Sequence, residues 1–414
     1  MKNLLIIYPH WPPSNLTGVH RPRLIANFAE HFGCHPIVLT VKNQFYEEPP
    51  DWDLIKTVNP NIEVYYTNAW KVPKPRIFGD IGIRSFIFLY KKALQIINSK
   101  QIDFIWIPIP SFYVALLGRI LYEKTHVPYS IDYIDPWLRD ITGRKNLRAK
   151  LSNLLAKILE PLAIKKASLI TGVDEKYFLP ALKRTFKKTK NYTTYLAFPY
   201  GFDPHDFDVA PKNITTPWHN CNCKPIIYAG AFLPNSKLFY SLMFQTIAQN
   251  KNYFNQYKFF FIGSGPYSIQ QLATQYHVQD IIIEINQRFP YLHILSFLKQ
   301  AHGILVIGST EEHYTASKIF QALLSNRPVF AIFHLKSQTV KILQQANADN
   351  FLVLYNPNEN ISELKNKISQ TLINFLNAKP EQWKPNLQAL NNYSAKENTK
   401  KFCQTIKNLL SSNY

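Results

Sequence analysis

The sequence predicts an α/β protein of two doubly wound domains facing a cleft, each domain a parallel sheet with helical crossovers. Three observations point there. The chain has 414 residues, enough for two or three domains at roughly 150 residues each. Short β-branched or aromatic runs alternate with longer stretches of 3.6-residue spacing, the rhythm of strand and crossover helix. That rhythm then restarts in the second half.

The first half carries six strand candidates: Leu4 to Tyr8, Ile37 to Thr40, Val64 to Tyr66, Phe104 to Ile107, Tyr129 to Tyr133 and Leu169 to Thr171. Helical spacing separates most of them. Residues Pro199 to Cys223 hold Pro199, Pro204, Pro211 and Pro217 and no hydrophobic period, so an interdomain connection is expected there. The second half offers Ile226 to Ala229, Phe259 to Ile262, Ile281 to Glu284, Ile304 to Ile307, Val329 to Ile332 and Phe351 to Leu354. A last helix, Ala395 to Leu410, sets Phe402, Ile406 and Leu409 against Lys, Gln and Asn. The expected division is 1–205, 206–394, and a terminal helix 395–414 packing back toward the first domain.

Composition narrows the function. Hydrophobic residues make up 46% and charged ones 18%, too apolar for a disordered chain. The net charge of +20 implies an anionic partner: phosphate, nucleic acid or acidic lipid. The cysteines Cys34, Cys221, Cys223 and Cys403 are too few and scattered for a disulfide scaffold, and Cys221-Asn-Cys223 lacks the gap of a zinc knuckle, so a reducing cytosol is expected. The run Leu4 to Ile7 is too short for a leader or a membrane span.

Parallel sheets bind ligands beyond the carboxyl ends of their strands, and the candidate residues lie in the loops that follow strands. After the first strand, Gly18 permits close backbone approach to an anion, and Arg21 and Arg23 follow on the next turn. After the fifth, Asp132 and Asp135 end a buried strand, with Trp137, Arg139 and Asp140 beyond; carboxylates placed there suit a substrate hydroxyl, while Asp135 ahead of Pro136 is equally a turn cap. In the second half, Gly230 leaves a strand ahead of Lys237, and Gly263-Ser264-Gly265 repeats that exit. Thr315 to Gln321 places Ser317 and Lys318 at an expected helix start, which suits a diphosphate; the plain alternatives are an N-cap for Ser317 and a solvated face for Lys318.

These pieces, in this order, resemble a glycosyltransferase of the GT-B fold, with two Rossmann-like domains, and specifically the family-four-like retaining enzymes of bacterial polysaccharide assembly. The resemblance rests on Gly18 and Arg21; Asp132, Asp135 and Trp137; Gly201, Asp203 and Phe207; Tyr228-Ala229-Gly230 with Lys237; Gly263 and Gly265; and Ser317 to Phe320 followed by Arg327 to Val329. It implies a nucleotide-sugar donor in the second domain, at Gly230, Lys237, Gly263, Gly265, His313, Ser317, Lys318 and Gln321, and an acceptor glycan or lipid-linked saccharide in the first. Asp135, Asp132 and Lys318 carry the implied catalytic roles. The implied reaction is front-face transfer, the leaving diphosphate helping to accept the acceptor's proton, with Lys237 and Lys318 in place of a metal and no cofactor. Two positions where the family commonly has glutamate hold His313 and Gln321. A sugar-nucleotide epimerase of the same fold and a non-catalytic binding subunit are the competing readings; nucleic acid is not an expected partner, for lack of a motif.

Half the net charge lies in 47 residues. From Arg144 to Lys190 there are 13 basic residues and three acids, giving +10. Within that stretch Leu147, Leu151, Leu154, Ile158 and Leu162 recur at helical spacing beside Arg148, Lys150 and Lys157, the pattern of a basic amphipathic helix that lies on an anionic leaflet; the plain alternative packs those leucines on the protein's own sheet. Trp70 to Lys92, with Lys74, Arg76, Phe78, Arg84, Phe86 and Phe88, is a second candidate contact. Cytoplasmic residence, peripheral on the inner face of the membrane, follows as the expectation.

Overall fold

The computed structural model describes residues 1–72, 79–138, 147–186 and 193–412, with the side chains of 147–149 outside the description. The chain splits into two compact units, Met1–Asp203 with Tyr393–Tyr414, and Pro204–Asn392.

The first unit is a seven-stranded parallel sheet in the order β3-β2-β1-β4-β5-β6-β7. Its strands are β1 (Lys2–Ile7), β2 (Cys34–Val41), β3 (Glu63–Thr67), β4 (Phe104–Ile109), β5 (Tyr129–Tyr133), β6 (Leu169–Gly172) and β7 (Thr194–Ala197). The crossovers include helices α1 (Thr17–Ala29), α2 (Ile81–Lys100), α3 (Ala115–Thr125), α4 (Leu147–Ile164) and α5 (Glu175–Thr185). Because both sheet faces are covered, successive residues of β1 serve different cores: Leu5 and Ile7 join one buried cluster, Leu4 and Ile6 the other. This is why the strand reads as an unbroken apolar run. Only six strands are expected from the sequence; the seventh, β7, is a four-residue, half-exposed edge strand.

The second unit repeats the plan with six parallel strands in the order β10-β9-β8-β11-β12-β13. These are β8 (Lys224–Ala229), β9 (Tyr257–Ile262), β10 (Ile282–Ile285), β11 (Gly303–Ile307), β12 (Val329–His334) and β13 (Leu352–Tyr355). Helices α6 (His205–Asp208), α7 (Lys237–Gln249), α8 (Lys251–Phe254), α9 (Ile269–Gln275), α10 (Tyr291–Gln300), α11 (Ile319–Leu324), α12 (Gln338–Gln345) and α13 (Ile361–Leu376) belong to it. The last helix, α14 (Ala395–Ser412), belongs to the first unit, where Phe402 and Ile406 are buried and Phe402 packs 5.0 Å from Trp106, ring to ring. Contrary to the sequence reading of the cysteines, Cys221 and Cys223 are joined by a disulfide; Cys34 and Cys403 are free and buried.

Candidate functional site

In a doubly wound sheet the crevice lies where successive crossovers leave in opposite directions, beyond the carboxyl ends of the two central strands. In the second unit these strands are β8 and β11. Gly230 follows directly on strand β8; its φ of +141° suits glycine, and a Cβ there would lie 2.3 Å from Lys318 Nζ. Glycine at 230 thus makes room for the ammonium. Lys318 Nζ is closed off from solvent with no hydrogen-bond partner, although the residue as a whole is partly exposed, and it lies 4.0 Å above the centroid of the Tyr228 ring. Burial pushes its pKa down from 10.5 to about 7. Thr315 Oγ1, three residues earlier, is likewise buried without a partner.

The other glycines hold the loops together. Gly230 N–H donates to Ile262 O at 2.9 Å, Phe232 N–H to Ser264 O at 3.0 Å, and Gly263 N–H to Ile285 O at 3.1 Å, so three strand exits run side by side. A Cβ on Gly263 would meet Gly230 O at 2.0 Å, and one on Gly265 would meet Phe232 at 2.5 Å. Lys237 opens α7, exposed, with Nζ 5.9 Å from the Tyr267 ring centroid. The helix expected to start at Ser317 starts instead at Ile319, with Lys318 as its N-cap residue, so Ser317 remains in the preceding loop and is not a cap. His313 Nε2 is 3.9 Å from Glu311 Oε2 on the surface. Gln321 Nε2 lies 3.5 Å from the Tyr291 hydroxyl, which donates to the buried carboxylate of Asp206 at 3.0 Å. An acid at 321 would face that hydroxyl while Asp206 already occupies it, a physical reason for the amide.

In the first unit two expectations are corrected. Arg21 Nε donates to Asp132 Oδ2 at 2.6 Å and Nη2 to Oδ1 at 2.8 Å, both side chains being 0% exposed. Arg21 also donates to the Phe198 and Pro199 carbonyls and lies over the Phe198 ring, while Thr171 donates to Asp132. Sealed from solvent and satisfied by these partners, neither side chain is open to a substrate phosphate or hydroxyl; the pair ties α1 to β5, β6 and the segment after β7. Gly18 lies within α1, where a Cβ would be 2.3 Å from the Tyr8 hydroxyl, a packing requirement rather than an anion loop. Arg84, too, is buried, donating to the carbonyls of Trp70, Gly79 and Phe45. Asp135 is partly exposed just beyond β5, and its charge, after burial, raises the Tyr8 and Tyr200 phenols.

The central strands of this unit are β1 and β4. What sequence reading missed stands beyond β1: His10 Nδ1 lies 3.1 Å from Glu48 Oε1, and Ser14 Oγ donates to the same oxygen. His10 was visible as the first imidazole after a strand; its partner, 38 residues away, was not.

Helix α4 presents an unusual surface. Ala156, Glu160, Ala163 and Ile164 face inward, whereas Leu151, Leu154, Leu155, Ile158 and Leu162 are 57%, 55%, 38%, 54% and 42% exposed. The plain alternative, leucines packed on the sheet, is overturned for these positions. Lys150, Lys157, Lys165 and Lys166 are exposed alongside. The buried Glu160 accepts from Tyr133 and Arg184. Lys74, Arg76, Phe78, Arg139, Asp140, Arg144, Lys187, Lys188 and Lys190, and the side chains of Leu147 and Arg148, lie outside the described residues. Among the described residues no helix is long and apolar enough to cross a membrane.

No family model matches the chain, and no curated protein matches its sequence. Solved structures do match it along its length. An α,α-trehalose-phosphate synthase (UDP-forming) from Burkholderia vietnamiensis superposes with a TM-score of 0.64 at 11% identity, covering 100% of this chain and 99% of that one. Sucrose-phosphate synthase from Thermosynechococcus elongatus gives 0.60 at 12%, covering 100% and 97%. Anabaena Alr3699/HepE in complex with UDP gives 0.55 at 14%, covering 100% and 98%. At such identities the likeness is one of fold, and with the two parallel sheets it establishes that this chain has the GT-B architecture of two Rossmann-like domains.

Proposed function

We propose that the protein is a glycosyltransferase that moves a sugar, with retention, from a nucleotide-diphosphate sugar bound by the second unit to an acceptor hydroxyl bound by the first, in cell-surface polysaccharide or glycoconjugate assembly. One observation carries the reading: Lys318 holds a buried, unpartnered ammonium against Gly230 at the switch of the sheet. A buried cation without a partner is costly, and an anion of the size of a diphosphate removes that cost. UDP, named with the HepE structure, and UDP-2-fluoroglucose, named with a structure from E. coli, make uridine nucleotides the first ligands to test.

In the transfer, the bond from the anomeric carbon to the diphosphate oxygen breaks and its electron pair leaves with the diphosphate. The acceptor oxygen bonds to that carbon, and its proton passes to the departing diphosphate. Lys318 offsets the charge that builds there, where low dielectric strengthens the interaction, so no metal or cofactor enters this reading. Lys237 and Ser317 complete the donor site, with Gly230 leaving room for the ammonium, and Asp135 is the carboxylate assigned to the acceptor. The exposed leucines and lysines of α4 support attachment to an anionic leaflet, where a lipid-linked saccharide is presented.

Calorimetric titration with UDP and a panel of sugar nucleotides, followed by transfer assays, tests the reading. Lys318→Ala is expected to lower turnover on the order of 10²–10³-fold in a folded protein. Unchanged turnover ends the assignment, and the anomeric configuration of the product, read by NMR, tests retention.

A further inference from the structure

We infer that His10, held by Glu48 and walled by Tyr8 and Tyr46, is the centre of a recognition site for a neutral, hydroxyl-rich ligand, a saccharide or similar polyol. As an acceptor site it rests on the transfer reading; as a binding site it stands alone.

Position is the first argument. Tyr8 and His10 follow directly on β1, one of the two central strands of the sheet, at the crevice where such folds bind ligands. The backbone here stays tied to the sheet, Tyr8 N–H donating to Leu39 O at 3.1 Å.

Tautomer is the second. Glu48 accepts from Ser14 and pairs with His10 Nδ1, the His10 and Glu48 side chains being 12% and 9% exposed. Burial opposes ionisation of Glu48, but the hydrogen bond and charge of His10 and the Ser14 hydroxyl draw its pKa down to about 2. A carboxylate at Nδ1 holds the Nδ1–H, so the open Nε2 accepts a hydrogen bond when the ring is neutral and donates one when it is protonated, and a hydroxyl can meet either. No group among the described residues bonds to Nε2, and it is not closed off from solvent. The ring plane is held by Tyr46, 4.9 Å away at 32°, whose hydroxyl is itself anchored to Val41 O and Trp11 N.

Charge is the third, and it selects the ligand class. After burial, the charges of Asp135, Tyr46, Glu48 and Asp80 raise the Tyr8 phenol, and of these groups the Glu48 carboxylate is paired with His10 itself. Arg21 supplies no free cation, being engaged by Asp132. A carboxylate against the ring with no free cation beside it disfavours phosphate and favours hydroxyl groups.

The test uses the full-length protein with ¹⁵N-labelled histidine, titrated with methyl α-glucoside, glycerol and maltose, and separately with inorganic phosphate. The His10 Nε2 resonance should move with the polyols and not with phosphate. In ligand-observed saturation transfer, His10→Phe should weaken polyol binding roughly five- to tenfold, and His10→Gln, which keeps one donor and one acceptor, should recover most of it. A resonance unmoved by every polyol, one moved equally by phosphate, or a His10→Phe variant that binds as the parent does would overturn the inference. If polyols move the resonance while no nucleotide sugar is bound or turned over, the site stands and the transfer reading falls.

Discussion

The buried ammonium of Lys318 predicts that nucleotide-diphosphate binding takes up a proton. Its pKa falls from 10.5 to about 7 through burial, and at 1.36 kcal/mol per pH unit the ammonium carries a penalty of roughly 5 kcal/mol while it lacks a counterion. A diphosphate beside it favours the charged form and returns the pKa toward its ordinary value. Above pH 7 the free protein must therefore protonate Lys318 before binding, so the drop in affinity should approach tenfold per pH unit, roughly 50-fold between pH 7 and pH 9. Titration calorimetry with UDP at pH 8 to 9, in two buffers of different ionisation enthalpy, reads the uptake directly, and this range lies above the phosphate's own titration near pH 6. Lys318→Met should bind weakly and without that pH dependence. Tight binding with no proton uptake, or the same pH profile in the variant, would refute the pairing. Without ligand the sign reverses. A lysine whose folded pKa lies below its unfolded one destabilises fully below about pH 7 and not at all above 10.5, so Lys318→Met should be the more stable protein at pH 6, on the order of 2 kcal/mol once the lost contact with Tyr228 is allowed for.

Other perturbations separate structural from functional residues. Arg21→Met leaves the Asp132 carboxylate buried and unpaired and should cost about 3–5 kcal/mol in urea unfolding; a cost under about 1 kcal/mol would mean the pair is not sealed from water. Gly263→Ala combines a φ of +149° with a Cβ 2.0 Å from Gly230 O, so circular dichroism and thermal melts should report several kcal/mol of destabilisation or failure to fold. Leu154→Ser with Ile158→Ser should weaken sedimentation with anionic vesicles about tenfold or more without lowering the melting temperature; equal binding would remove α4 as the contact. Neutralising Lys150, Lys157, Lys165 and Lys166 should weaken the same binding in a salt-sensitive way, whereas Arg184 must be left alone because it partners the buried Glu160.

Twelve of the thirteen strands among the described residues were legible in the sequence: the nine interior ones because a parallel strand covered on both faces needs apolar side chains at nearly every position, as Leu4 to Ile7 and Val329 to Ile332 have, and the edge strands β3, β10 and β13 through their β-branched and aromatic residues. The exception, Thr194–Ala197, is the remaining edge strand, four residues long and half open to solvent. The glycines after β8 and β9 were legible too, since tight strand exits leave a local mark. What they are for was not. Gly230 accommodates an ammonium 88 positions further on, and Gly18 accommodates the hydroxyl of Tyr8, which one strand exit brings back over the helix. The polar assignments depended still more on tertiary structure. Arg21 and Asp132, read as ligand groups, neutralise each other across 111 positions, while His10, unremarkable in its loop, acquires Glu48 from 38 positions away. For α4 the leucine spacing was plain, but the same period describes a stripe facing the sheet or facing solvent. Only packing decided it: Ala156, Ala163 and Ile164 cover the sheet and the leucines point outward. Hydrophobic period is a property of neighbours along the chain and is written locally, whereas the partner of a buried charge is chosen by crossovers that bring distant segments to one strand end.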